Sequence, residues 1–165
     1  MIEGLRPYAD MRATGLGWLP NVPEHWGIQR IKTLLREIDT RSVTGEERLL
    51  SLRMIAGLVD HLEVGGKPIS AQSLTGYKVI EPGQIVMNRM RAASGLFGIA
   101  RKRGLVSPDY AVFEQSNPVN SHYLLQLFKL PAMAAIFRSE SKGLGTGESG
   151  FLRLYTDRFG PIHIP

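Results

Sequence analysis

Cysteine is absent from the 165 residues. That excludes disulfide staples, thiolate nucleophiles and cysteine-ligated zinc. It fits a reducing compartment, and a cytoplasmic protein is the expectation. Histidine is scarce: His25, His61, His122 and His163 lie far apart and form no i, i+4 pair, so no metal site is expected. No Ser-His-Asp constellation has a local signature. No apolar run approaches the ~20 residues of a membrane span. The opening stretch MIEGLRPYADMRATG lacks the apolar core of a signal peptide.

Acidic residues are outnumbered, 15 against 20 Lys and Arg, for a formal charge of +5. A basic balance favours nucleic acid or an anionic surface as partner. Hydrophobic content of 43% and charged content of 21% are ordinary for a globular protein and exclude a disordered chain. The length suits one domain with its own core, and no internal repeat is present.

The positive charge is localised. Pro82 to Phe113, PGQIVMNRMRAASGLFGIARKRGLVSPDYAVF, holds Arg89, Arg91, Arg101, Lys102 and Arg103 against the single acid Asp109. Apolar bursts (Ile85–Met87, Leu96–Ala100, Ala111–Phe113) are separated by Gly83, Gly95, Gly104 and Pro108. Short β-prone runs with turn residues between them predict strands. A small sheet carrying basic loops is a usual way to present cations to a polyanion.

PGQIVMNRMRAASGLFGIA followed by GLVSPDYAVF resembles the target-recognition domain of type I restriction–modification specificity subunits. Upstream, GLGWLPNVPEHWGIQRIK is similar to the opening of such domains, and the closing FGPIHIP to their exit strand. The resemblance spans nearly the whole chain. It implies a non-catalytic reader of double-stranded DNA, without cofactor, for one half of a bipartite site. Its implied partners are the methyltransferase and restriction subunits of the type I complex. The family joins two such domains by long spacer helices. This sequence has one domain and stops at Pro165, so a monomer that does not hold methyltransferase subunits stably is expected.

The expected fold is α/β or α+β, a single domain with a mixed, irregular β-sheet and packed helices. Residues 1–27 read as an extended leader, which Trp18 and Trp26 pin to the core. Residues 28–165 form the recognition domain. Ile28, Ile31, Leu34, Leu35 and Ile38 make an i, i+3, i+4 stripe, which predicts a helix over Ile28–Ile38. Leu49–Met54 predicts a strand, and the glycine-punctuated Ala56–Ser73 a loop. Glu81-Pro82-Gly83 suits a type II turn leading into a strand over Gln84–Met90. Asn120 or Ser121 is a candidate N-cap for a helix over Ser121–Phe128. Pro131 suits the first position of a second helix, Ala132–Ser139. Ser141–Gly150 predicts a glycine-rich loop.

Three motifs compete with the DNA-binding interpretation. Gly145–Gly150 fits G-x-G-x-x-G, but a helix precedes it where a strand is required, so a loop that closes on a partner is preferred. Pro108-Asp109 with Glu140-Ser141-Lys142 matches the minimal PD…ExK pattern of Mg-dependent nucleases. That pattern is the enzyme alternative, although a proline-led turn explains Asp109 without a metal. Asn117-Pro118-Val119-Asn120 lacks the second proline and the aromatic of an amino-methyltransferase motif, and reads as a turn.

The expected DNA-binding residues are Asn88, Arg89, Arg91, Arg101, Lys102, Arg103, Lys142, Gly143 and Thr146. Arg89 and Arg91, two apart on a predicted strand, share a face and suit bidentate contacts to guanine. Asn88 faces the other way unless the strand ends or bulges there. Arg101–Arg103 are consecutive and cannot converge on one base, so phosphates are their targets. The resemblance places a glycine-containing loop near the DNA, which brings in Lys142, Gly143 and Thr146. The competing role for Arg89 is a buried brace to an acid such as Glu81 or Asp109.

Overall fold

The computed structural model describes residue 6, residues 8–144 and residues 151–165. In chain order it has β1 (Met11–Leu16), β2 (Leu19–Pro23), β3 (Gln29–Arg30), α1 (Ile31–Leu34), β4 (Leu35–Ile38), β5 (Leu50–Arg53), β6 (Gly57–Asp60), α2 (Ala71–Leu74) and β7 (Lys78–Ile80). Then come β8 (Ile85–Asn88), a 3-10 turn (Ala92–Ser94), β9 (Phe97–Ile99), β10 (Gly104–Val106), β11 (Tyr110–Gln115), α3 (Ser121–Phe128) and α4 (Pro131–Glu140). The described chain closes with β12 (Lys142–Leu144), β13 (Phe151–Arg153), α5 (Thr156–Phe159) and β14 (His163–Ile164).

The centre is an antiparallel four-stranded sheet in the order β4-β11-β8-β9. All four residues of β8 are buried, because the sheet is covered on both faces. Alternation along the strands feeds two cores. Ile85, Met87, Phe97, Ala111 and Phe113 enter the core shared with α3, α4 and α5. Val86 and Val112 enter a second core with Leu50, Leu52, Ile80 and Val106, from β5, β7 and β10. Period-two alternation on these strands builds a three-layer domain of mixed α+β class.

Five phenylalanines lock the helical layer to the sheet, one from each of β9, β11, α3, α4 and α5. Phe97 lies 5.1 Å from Phe128, 5.5 Å from Phe137 and 6.1 Å from Phe159, centroid to centroid. Phe113 lies 5.2 Å from Phe159. Tilted pairs at such spacing contribute ~0.5–1.5 kcal/mol each beyond area burial. Trp18 of the leader packs against this core, and Trp26 stands edge-on to Tyr123 at 6.3 Å. Among the described residues no helix is long and apolar enough to cross a membrane.

Turn and cap chemistry appear where expected. Gly83 has φ +87°, as the third position of a type II turn requires. Asn120 caps α3, its side-chain oxygen accepting from the backbone amides of His122 (2.9 Å) and Tyr123 (3.2 Å). Pro131 opens α4. Asn117 lies in the turn before α3 and donates to the Thr33 carbonyl at 2.8 Å.

Three expectations are corrected. Ile28–Ile38 is not one helix: Ile31–Leu34 makes a single helical turn and Leu35–Ile38 is an edge strand on β11. The apolar stripe serves both geometries, and pairing with β11 decides the second half. Ala56–Ser73 is not a plain loop; it contains β6 and the start of α2. Gly57, at φ +70°, closes the β5–β6 hairpin, so a glycine that looked like punctuation begins a strand. Lys142–Leu144 is a strand on β13 rather than loop. The G-x-G-x-x-G run, with Thr146, lies outside the described residues.

Candidate nucleic-acid interface

The strand β8 stops at Asn88, and the side chain of Asn88 makes the stop. Its Oδ1 accepts from the amides of Met90 (3.0 Å) and Arg91 (3.3 Å), an Asx-type turn that leads into the 3-10 turn and Gly95, at φ +75°. Asn88 is 6% exposed and occupied by the turn. It positions its neighbours and does not reach outward. Because the strand ends here, Arg89 and Arg91 do not share a strand face, which corrects the two-apart argument.

Arg89 is a brace. Its guanidinium pairs with Glu37 of β4 and lies 3.5 Å from the Asp109 carbonyl, with the side chain 15% exposed. The second oxygen of Glu37 accepts from the hydroxyl of Thr156, at the start of α5. The Lys78 ammonium, 3% exposed, donates to the Tyr110 carbonyl at 2.7 Å and stands 3.6 Å from both Glu37 and Asp39. Burial lowers the pKa of Lys78 and the nearby Arg89 charge adds to this, while Glu37 and Asp39 act in the opposite sense. Asp39 is held low chiefly by hydrogen bonds from Arg41. This corrects the base-reading role expected of Arg89: the competing role, a brace, is the one it fills, with Glu37 as its acid and not Glu81 or Asp109.

A second arginine joins this end of the sheet. Arg153 of β13 pairs with Asp109 at 2.6 Å and lies 5.7 Å over the ring of Tyr155. The next residue, Leu154, donates its amide to the Arg89 carbonyl at 2.9 Å. Arg153 is in register with Lys142 of β12. The Asn88 end of β8 therefore gathers Arg89, Arg91, Arg153 and Lys142. Arg91, Lys142 and Gly143 are exposed. The Nε atoms of Arg89 and Arg153 are buried and have no acceptor among the described residues. The carboxylates of Glu37 and Asp109 hold two guanidinium planes in place between the exposed cations.

Arg101, Lys102 and Arg103 lie at the other end. Ala100 exchanges hydrogen bonds with the opposite end of the hairpin, donating to the Gln84 carbonyl and accepting from Gly83, both at 2.9 Å. Five residues of extended chain separate Gln84 from Arg89, roughly 17 Å. The expected single patch is thus two. Arg101 and Lys102 are exposed and have no salt-bridge partner among the described residues. Arg103 pairs with Glu81 and stands 3.6 Å from Glu47, so its charge is partly spent within the fold. Two cationic clusters at this spacing match a polyanion that runs along the sheet end to end.

The carboxylates of the nuclease pattern are engaged elsewhere. Asp109 is held by Arg153, and Glu140 lies 3.5 Å from Arg158 of α5. Among the described residues no group of three His, Asp or Glu side chains is placed to hold a metal ion. A groove of about 660 Å³ is lined by Glu46, Glu47, Asp60 and Glu63 with only Arg48 opposing them, a lining that repels phosphate.

Sequence reasoning missed Glu37, Lys78 and Arg153. A lysine between Tyr77 and Val79 in an apolar strand, and a glutamate between Arg36 and Ile38, were the available signals. No family model matches the chain, and no curated protein matches it in sequence.

Proposed function

We propose that this domain binds double-stranded DNA sequence-specifically, as a reader for one half of a bipartite site of the type I restriction–modification kind. In this proposal it is not itself an enzyme, and it acts with methyltransferase and restriction subunits. One observation carries the reading. The fold spends two acids, the half-buried Glu37 and the exposed Asp109, on orienting Arg89 and Arg153 at the same end of the sheet where Arg91 and Lys142 are exposed. Preorganised guanidinium groups beside free ones suit a polyanion that must be held in register as well as attracted.

The roles divide. Arg91, exposed on a turn fixed by Asn88, is the candidate for a base edge. Arg101, Lys102 and Lys142 are candidates for phosphates, with the backbone of Gly143 beside them. Arg89 acts by positioning. The motif stretch that resembles the target-recognition domains folds as β8, its turn, β9, β10 and β11; β8, β9 and β11 are three of the four strands of the central sheet, and β10 pairs with β7.

Enrichment of bound duplexes from a random DNA library, with and without Mg²⁺, tests the proposal. A short sequence enriched equally in both conditions is expected. Failure to enrich any sequence contradicts it. Cleavage of the bound pool only with Mg²⁺, lost in both Asp109→Ala and Lys142→Ala, would favour the nuclease.

A further inference from the structure

We propose that the tip of the β5–β6 hairpin, Met54–Ile55, is an apolar wedge that enters a base-pair step of the bound duplex. The proposal rests on the DNA-binding reading above.

The tip places two exposed apolar side chains next to each other in the chain. Ile55 is 98% exposed and Met54 is 41% exposed, side by side, with the exposed Arg53 next to them. The hairpin that carries them is paired along its length and tied at its root. β5 and β6 pair in continuous register from Leu50–Asp60 to Arg53–Gly57. Its root is stapled by Arg48–Asp60 at 2.9 Å and by Ser51–His61 at 2.9 Å. Leu52 and Leu58 seat it on β9 at Gly98, where an added methyl would stand 2.7 Å from Leu52 Cδ1. A fixed arm that presents two large apolar side chains to water gains nothing from them in the free state.

Direction and charge indicate the occupant. Leu49 bridges Leu105 in parallel, so β5 runs with β10, away from Gly104 and towards the Ser107–Asp109 corner. Leu50 sits at Gly104 and Leu52 at Gly98, and the tip extends beyond them. The arm therefore points to the end of the molecule that carries Arg91, Arg153 and Lys142. Two side chains are too few for a protein interface, which needs ~1,000 Å² of buried surface. They suit a base step, where Ile or Met wedges unstack neighbouring pairs while flanking cations hold the backbone.

The test uses the intact chain and the enriched duplex, with 2-aminopurine substituted step by step. Wild type is expected to raise the fluorescence at one step, because unstacking removes quenching. The Met54→Ser, Ile55→Ser double variant is expected to abolish that rise and weaken binding roughly tenfold. Leu62→Ser, at an exposed apolar residue just beyond the far end of β6, is expected to behave as wild type. Tight binding by wild type with no fluorescence change at any step overturns the wedge and leaves the DNA-binding reading intact. Absence of binding to any duplex overturns both. The wild-type response needs no variant, so the wedge stands or falls even if the double variant misfolds.

Discussion

The Arg89 guanidinium is paired with the Glu37 carboxylate across 52 positions of sequence, joining the end of β8 to the edge strand β4. Through Thr156 the same carboxylate reaches α5. Removing one partner of such a pair leaves the other charge half-buried. For complete burial that costs ~3–5 kcal/mol, and the partial exposure here lowers it to about 2–3. Arg89→Ala should therefore melt roughly 5–10 °C below wild type in a calorimeter. An unchanged melting temperature would remove Arg89 from the frame and return it to the list of free cations.

Arg91 separates from Arg89 by the opposite behaviour. It is exposed, and its backbone amide, not its side chain, is used by Asn88. Arg91→Ala should melt as wild type yet lose ~1–3 kcal/mol of discrimination between the enriched site and random duplex. Competition titration measures this. Equal loss on both DNAs would make Arg91 a phosphate contact.

Lys102 should act without regard to sequence. Exposed, and with no salt-bridge partner among the described residues, its replacement by alanine should weaken both DNAs alike. The slope of log affinity against log salt should flatten by ~1. Arg103→Ala should flatten it less, since Arg103 is already shared with Glu81 and Glu47. Equal slopes for the two variants would contradict the division.

Lys78 gives a pH signature. Its pKa lies below the ordinary 10.5 in the folded chain, so in the alkaline window below that value the unfolded chain holds more protons. Stability attached to this group must then rise with pH, the cost of burying the ammonium being relieved as the folded form deprotonates. The urea-midpoint difference between wild type and Lys78→Met should shift in favour of wild type as pH rises from neutral. A difference that is flat with pH would show that Lys78 titrates as an exposed lysine.

Much of the fold was legible because local chemistry decides it. Pro82-Gly83, the Asn120 cap and Pro131 each act within a few residues, and the structure uses all three as such. The second half of Ile28–Ile38 was not legible, since Leu34, Leu35 and Ile38 satisfy a helical stripe and β11 is some 75 residues downstream. The candidate site was half legible. Its cations stand out in composition, but which of them are spent depends on Glu37 and Asp109, whose partners are set by tertiary pairing. The separation of Arg101–Arg103 from Arg89 is likewise a property of hairpin direction, which composition does not carry.

The central claim is sequence-specific binding to duplex DNA. Its most direct test is the ratio of affinities of the wild-type chain for its enriched site and for a scrambled duplex, by fluorescence anisotropy at one stated physiological salt concentration. The expected ratio is in the ordinary range for specific readers, ~10³ or more. A ratio near one, with both affinities collapsing together as salt is raised, would contradict it and leave only a basic protein that binds phosphate.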